Sequence, residues 1–305
     1  MKVRSLIGAV AVLLLSCENP FNPYGEYTPR LVVYSVLTNI RGPQFVRVSA
    51  TYDPLRIDPG GPLTDTGLEG AFVRITGGGS TFVFRDTLLQ DTHAYVCDSM
   101  PVAPGAQYSL EVSKDSLGLA QSSIVIPSAP SIVVPRGTAS ALDGPSFGFL
   151  AFSVGLSANT RRHRVRMFIE FDSPDSVRHR WEVPFDAVDT SLFFITYPDF
   201  QYTTASAFEI KYSGRSYEIM LTKIVYRYTT AVKWRNVVFE VFQVGEPLEN
   251  YSSVANGFKD ELSLRADEPD YSNISGGFGL FGAYTVTEIA RPFPPGFFFN
   301  PYPSH

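Results

Sequence analysis

Hydrophobic and polar residues alternate along much of this chain with the two-residue period of strands that bury one face. The cleanest run is Gln107-Tyr108-Ser109-Leu110-Glu111-Val112-Ser113, which puts Tyr108, Leu110 and Val112 on one core-facing side. Leu31 to Leu37 and Phe45 to Ala50 are β-branched and aromatic and flank Arg41-Gly42-Pro43, so they predict a hairpin. Ala71 to Thr76 and Thr81 to Asp86 flank Gly77-Gly78-Gly79, whose missing Cβ atoms permit the positive φ of a tight turn. In the second half the pattern predicts strands over 147–156, 164–171, 180–184, 191–196, 216–228 and 237–244. One helix is expected over 247–264, where Leu248, Tyr251, Val254, Phe258 and Leu262 are spaced 3, 3, 4 and 4 apart, although Gly257 weakens it.

These elements predict a mainly β protein in two parts. An antiparallel β-sandwich is expected over 30–128 and a larger β-rich domain with at most one or two short helices over 131–290. Pro127, Pro130 and Pro135 mark the crossing, with the boundary near Ser131. Residues 53–70 are rich in Asp, Pro, Gly and Thr and predict a long surface loop. Residues 291–305 form a proline-broken aromatic tail, and 17–29 a Pro- and Asn-rich tether.

The first 16 residues predict a secretory signal: a basic start with Lys2 and Arg4, then the apolar run Leu6 to Leu15. Ten such residues span about 15 Å as a helix, half of a roughly 30 Å hydrocarbon core, which disfavours a permanent membrane span. Leu14-Leu15-Ser16-Cys17 resembles the bacterial lipobox, so Cys17 is the expected lipid attachment point, carrying palmitate-type acyl chains. Cys97 is the other of two cysteines and then has no disulfide partner; its apolar strand predicts a buried, inert thiol.

Composition narrows the function classes. Among 305 residues, 44% are hydrophobic and 18% charged, which argues against a disordered chain and a polytopic membrane protein. With 25 Lys and Arg against 30 Asp and Glu, the chain has no net basic field for a phosphate backbone, so no nucleic-acid partner is expected. Loss of Lys2 and Arg4 with the signal makes the mature chain more acidic.

Candidate chemistry is sparse. Gly144-Pro145-Ser146-Phe147-Gly148 fits the pattern of a nucleophile elbow, but a strand rather than a helix is predicted after it. Gly277-Phe278-Gly279-Leu280-Phe281-Gly282 fits a dinucleotide fingerprint without the βαβ unit that gives it meaning; a glycine-rich corner of a β fold explains it better. His93, His163, His179 and His305 lack metal-ligand spacing, and Asp53, Asp58, Asp65 and Glu69 match no EF-hand. No metal, cofactor or catalytic residue is expected, while carboxylate pairs able to cleave glycosidic bonds stay open. The candidate interaction surface is Arg162, Arg164 and Arg166, set by strand parity opposite His163, Val165 and Met167, together with Phe297, Phe298 and Phe299 of the tail. The tetrapeptide Phe21-Asn22-Pro23-Tyr24 recurs as Phe299-Asn300-Pro301-Tyr302, which composition explains by coincidence.

Gly70-Ala71-x-Val73, followed by a glycine turn and Pro104-Gly105-x-x-Tyr108-x-Leu110-x-Val112, resembles the transthyretin-like regulatory modules of some carboxypeptidases and of Bacteroidota outer-membrane receptors. That resemblance implies an immunoglobulin- or transthyretin-like sandwich without catalytic residues of its own. The lipobox, the Leu31-Val32-Val33 opening and the stretch Ser272 to Tyr284 together resemble a Bacteroidota lipoprotein family, domain of unknown function number forty-two forty-nine. The resemblance implies a lipid-anchored, noncatalytic accessory or binding protein of the outer membrane, acting beside a TonB-dependent receptor in nutrient uptake. The alternatives are a lipid-anchored hydrolase of glycans or peptides and a structural or adhesive envelope protein. Glu18 is followed by Asn19 and Pro20 rather than an acidic run, so the face of the membrane stays open between periplasmic and extracellular.

Overall fold

A computed structural model describes residues 27–300 apart from 53–66, 137, 139–141, 143–147, 159, 188–194, 197–198, 229–230 and 257–270. Cys17, the tether as far as residue 26, Asp53, Asp58, Asp65, Ser146, Phe258, Leu262 and His305 lie outside the described residues. The fold is mainly β, as the alternation predicts.

The first half contributes β1 (Leu31–Thr38), β2 (Gln44–Ala50), β3 (Phe72–Gly77), β4 (Ser80–Val83), β5 (Arg85–Leu89), β6 (Thr92–Cys97), β7 (Gln107–Lys114) and β8 (Gly118–Val125). Strands β4-β3-β7-β8 form one sheet and β1-β2-β6-β5 belong to another. Val33, Leu37, Val46 and Val48 from one and Val73, Ile75, Leu110 and Val112 from the other share a buried cluster. Tyr108, Leu110 and Val112 are the inward residues of β7, as their alternation requires. Gly78 and Gly79 take φ of 58° and 80° in the β3–β4 hairpin, conformations that L side chains disfavour.

The second half contributes β9 (Ser131–Val133), β10 (Phe149–Gly155), β11 (Arg162–Asp172), β12 (Arg178–Glu182), β13 (Asp186–Ala187), β14 (Ile195–Thr196), β15 (Gln201–Tyr202), β16 (Ala207–Ser213), α1 (Gly214–Tyr228), β17 (Lys233–Val244), α2 (Glu246–Asn256) and β18 (Gly277–Pro292). Residues 216–228, expected as a strand, form helix α1 instead. Their β-branched and aromatic content suggests a strand, but Tyr217, Met220, Leu221, Ile224 and Val225 fall at the i, i+3, i+4, i+7, i+8 positions of one helical face and are buried. They join Phe152, Ile210 and Phe239 in the second core. The helix expected from Pro247 begins at Glu246, with proline in the first turn where its missing N–H costs nothing, and its described part ends at Asn256.

The large sheet runs β12-β11-β17-β18-β1-β2-β6-β5, so one sheet spans both halves of the chain. Strand β18 makes the connection. Its residues Gly277 to Tyr284 pair parallel to β1, and Tyr284 to Pro292 pair antiparallel to β17. Phe281 and Ala283 enter the sandwich core, while Phe293, just beyond the strand, enters the second. The glycine-rich run exists for close approach: Gly279 has φ +116°, and a Cβ there would collide with the Val33 carbonyl. At Gly282 a Cβ would stand 3.0 Å from Leu248 Cβ, so this glycine seats α2 on the strand.

Candidate binding groove

At the seam between the two halves, one buried and two half-buried side-chain amides stand in for backbone pairing. Gln243, in the otherwise apolar end of β17, is fully buried. Its Oε1 accepts the Ser157 N–H at 3.1 Å, and its Nε2 donates to the Ser128 carbonyl and to Thr285 Oγ1, the latter at 2.9 Å. One side chain thus joins the stretch after β8, the loop after β10, β17 and β18. Asn273 pairs both backbone groups of Phe281 at 2.7 and 2.8 Å, and Asn39 pairs both of Val286 at 2.9 and 2.8 Å. Each asparagine acts as a one-residue strand beside β18, satisfying groups that burial would otherwise leave costly.

A groove opens at this seam, with a cavity of about 690 Å³. Val125, Ile126 and Pro127 form one wall; Ser157 and the start of α2, Gly245 and Pro247, form the other. Gly245 makes the narrow point, since a Cβ there would stand 3.0 Å from the Ala283 carbonyl and 3.4 Å from the Pro127 ring. Ala158 and Glu246 also border an adjoining polar notch of about 370 Å³ whose other walls include Arg161, Tyr202 and Glu249.

The notch is electrostatically mixed. Arg161 Nη1 donates to the Tyr202 hydroxyl at 3.2 Å, and that bond, reinforced by attraction to Glu249 and Glu246, holds the guanidinium even more firmly charged. Glu249 is 7% exposed; burial raises its proton affinity, against the pull of Arg161 and Arg162. Tyr202 is 62% exposed and offers a ring face to an occupant.

The basic residues singled out from the sequence lie nearby but are already engaged. Their stretch of β11 pairs with β17 on one side and, at Arg162, with β15 on the other, while β12 joins only from Phe168 onward. Arg162 Nη1 donates to Ser252 Oγ at 2.8 Å, and the guanidinium groups of Arg162 and Arg164 each lie 5.4 Å from the Phe200 ring. Arg166 pairs with Glu182 at 2.5 Å and with Glu240 at 3.4 Å. Arg180 pairs with Glu288 at 2.5 Å, and both Arg166 and Arg180 lie over Phe168. On the same face Glu240 and Glu288 stand opposite each other across β17 and β18. Burial and the bond to Glu288 push Glu240 up, whereas the bond from Arg180 holds Glu288 down.

The tail aromatics separate. Phe299 is buried, Phe297 packs on Trp234 with ring centroids 5.7 Å apart, and Phe298 is 63% exposed. Of the histidines, His93 Nδ1 lies 2.9 Å from Asp86 Oδ1 and His179 Nε2 lies 3.0 Å from Ser173 Oγ. His163 is 2% exposed against Phe208, with neither ring nitrogen in a well-formed hydrogen bond. Burial pushes its imidazole down, partly offset by the nearby Arg161 backbone. Among the described residues, no group of three or more His, Cys, Asp and Glu is placed to hold a metal ion, and no helix is long and apolar enough to cross a membrane.

The groove residues escape sequence reading for a physical reason. Arg161 and Tyr202 are brought together by the pairing of β15 with the start of β11, and Glu246 and Glu249, one turn apart on α2, come from a part of the chain remote in sequence. The one signal in the sequence is Gln243 itself, a lone amide in the apolar run Val241-Phe242-Gln243-Val244.

The chain is thus a mainly β protein in which strand β18 joins the two halves and a groove opens at their seam. The chain belongs to the family described as Domain of unknown function (DUF4249), whose profile matches residues 18–290. No curated protein matches it at a significant level.

Proposed function

We propose that this protein is a lipid-anchored, noncatalytic binding subunit of the outer membrane that works with a TonB-dependent receptor in nutrient uptake. The junction groove carries the binding part of this reading: ligand sites concentrate where structural units meet, with volumes of about 300–1,000 Å³, and the cavity of about 690 Å³ is of that size. The Leu14-Leu15-Ser16-Cys17 lipobox supports the anchor, because each buried methylene adds about 0.8 kcal/mol and two or three acyl chains hold a protein firmly. The resemblance of the sandwich to receptor-attached modules supports the receptor as partner. A hydrolase would need two carboxyl groups roughly 5 to 10 Å apart across a cleft. Glu240 and Glu288 bond to each other on a sheet face and lend that alternative no support.

The test is crosslinking of the natively expressed lipoprotein in intact cells, followed by mass spectrometry. A TonB-dependent receptor in stoichiometric yield is expected; recovery of the protein alone overturns the partnership.

A further inference from the structure

The free edge of β8 forms one wall of the junction groove, and its backbone geometry specifies what pairs with it. In an antiparallel strand, successive residues aim their N–H and C=O groups at opposite edges. Gln121 aims away from β7, because its N–H donates to the Ser275 carbonyl and its carbonyl accepts the Ser275 N–H, both at 2.8 Å. Ile126 aims toward the β7 side, where its N–H donates to the Ala106 carbonyl at 2.9 Å. The parity therefore turns the N–H and C=O of Ser123 and Val125 outward, along the edge that Ser275 has begun to cover. Both residues line the cavity, and among the described residues no backbone partner meets these four groups.

We infer that the junction groove binds an extended polypeptide segment by strand addition to β8, the segment continuing where the Ser275 bridge leaves off. The partner is a polypeptide because the open groups are two amide donors and two carbonyl acceptors at strand spacing, a pattern that another backbone in extended form complements. The chain already uses this edge in that way at Gln121, so the site extends an existing interface. Glu246 is the charged residue on the cavity's lining, which favours a neutral segment with Lys or Arg toward the α2 end. This inference rests on the groove being the binding site, not on which receptor supplies the segment.

Val125→Pro tests it. Proline removes an outward N–H that no described residue uses, at a position where an edge strand tolerates the ring, so the fold is retained and strand addition is blocked. Val125→Thr changes the side chain and keeps the donor. The probe is a displayed library of random twelve-residue peptides panned against the full chain. Selected peptides are expected to lose affinity about tenfold or more on V125P, to bind V125T nearly unchanged, and to slow amide exchange at Ser123 and Val125. A second measurement needs no variant: in the isolated protein those two amides should exchange far faster than Gln121 and Ile126. Slow exchange there without peptide, peptides indifferent to V125P, an empty selection, or a dimer of this chain that V125P dissolves would each overturn the inference. These outcomes leave the receptor crosslink untouched, so the two readings fail separately.

Discussion

His163 and Gln243 place polar side chains at 2% and 0% exposure, where an unpaired nitrogen or oxygen is costly. The parity of β11 places His163 with Val165 and Met167 on the buried side, as alternation predicts. Burial lowers the affinity of folded His163 for a proton, whereas the unfolded chain takes one near pH 6.5. The unfolded state therefore binds more protons below that pH, and stability falls as pH drops below 6.5 toward the folded value. Urea unfolding at pH 7.5 and 5.5 should show this loss, and His163→Leu should reduce it. Two other groups act in different windows. Glu240, pushed up by burial, weakens the fold as pH rises above 4.5, while Asp172, held down by Arg235, loses its contribution only below pH 3.8. Gln243 is the less legible residue, because its partners Ser128, Ser157 and Thr285 are remote in sequence. Gln243→Met leaves a buried amide and a carbonyl unpaired at the seam and should cost about 2–4 kcal/mol in denaturant unfolding.

At the scale of elements, periodicity succeeded where one face is buried and failed where composition and period disagree. Helix α1 is the failure: tyrosine, isoleucine and valine favour strands in isolation, yet the run is 15 residues long and its apolar positions keep a helical stripe. Leu221 lies on that stripe, fully buried, so Leu221→Ala should cost about 2–5 kcal/mol, read as a lower denaturant midpoint. Strand β18 shows the converse, a glycine-rich run that imitates a nucleotide motif but serves packing. The two glycines should respond unequally to alanine. Gly279→Ala meets both a left-handed φ and the Val33 carbonyl, whereas Gly282→Ala asks Leu248 to move by a few tenths of an ångström. Thermal unfolding should fall further for the first, by about 3 kcal/mol or more in stability, and the second should mainly loosen α2.

For the whole molecule, the decisive contact is the parallel pairing of Leu31 to Thr38 with Gly277 to Tyr284, which unites the first described strand with the last. No local pattern in the sequence announces that a strand from the far end completes the first sheet. Such pairing closes a loop of almost the whole chain, so it gains nothing until most of the protein has formed. A fragment of residues 27–130 would keep β1 to β8 and lose Phe281 and Ala283 from its core, leaving one edge of β1 open. An open apolar edge invites pairing with other chains. The fragment alone should therefore elute as oligomers in size-exclusion chromatography, and a peptide of residues 271–286 added in trans should shift it toward the monomer. The peptide supplies Asn273, whose amide pairs Phe281 within the same segment, and Val286, which Asn39 caps from the fragment. A fragment that is monomeric and slow to exchange at β1 without the peptide would mean that the sandwich is complete by itself, and β18 would then dock onto a finished unit instead of completing it.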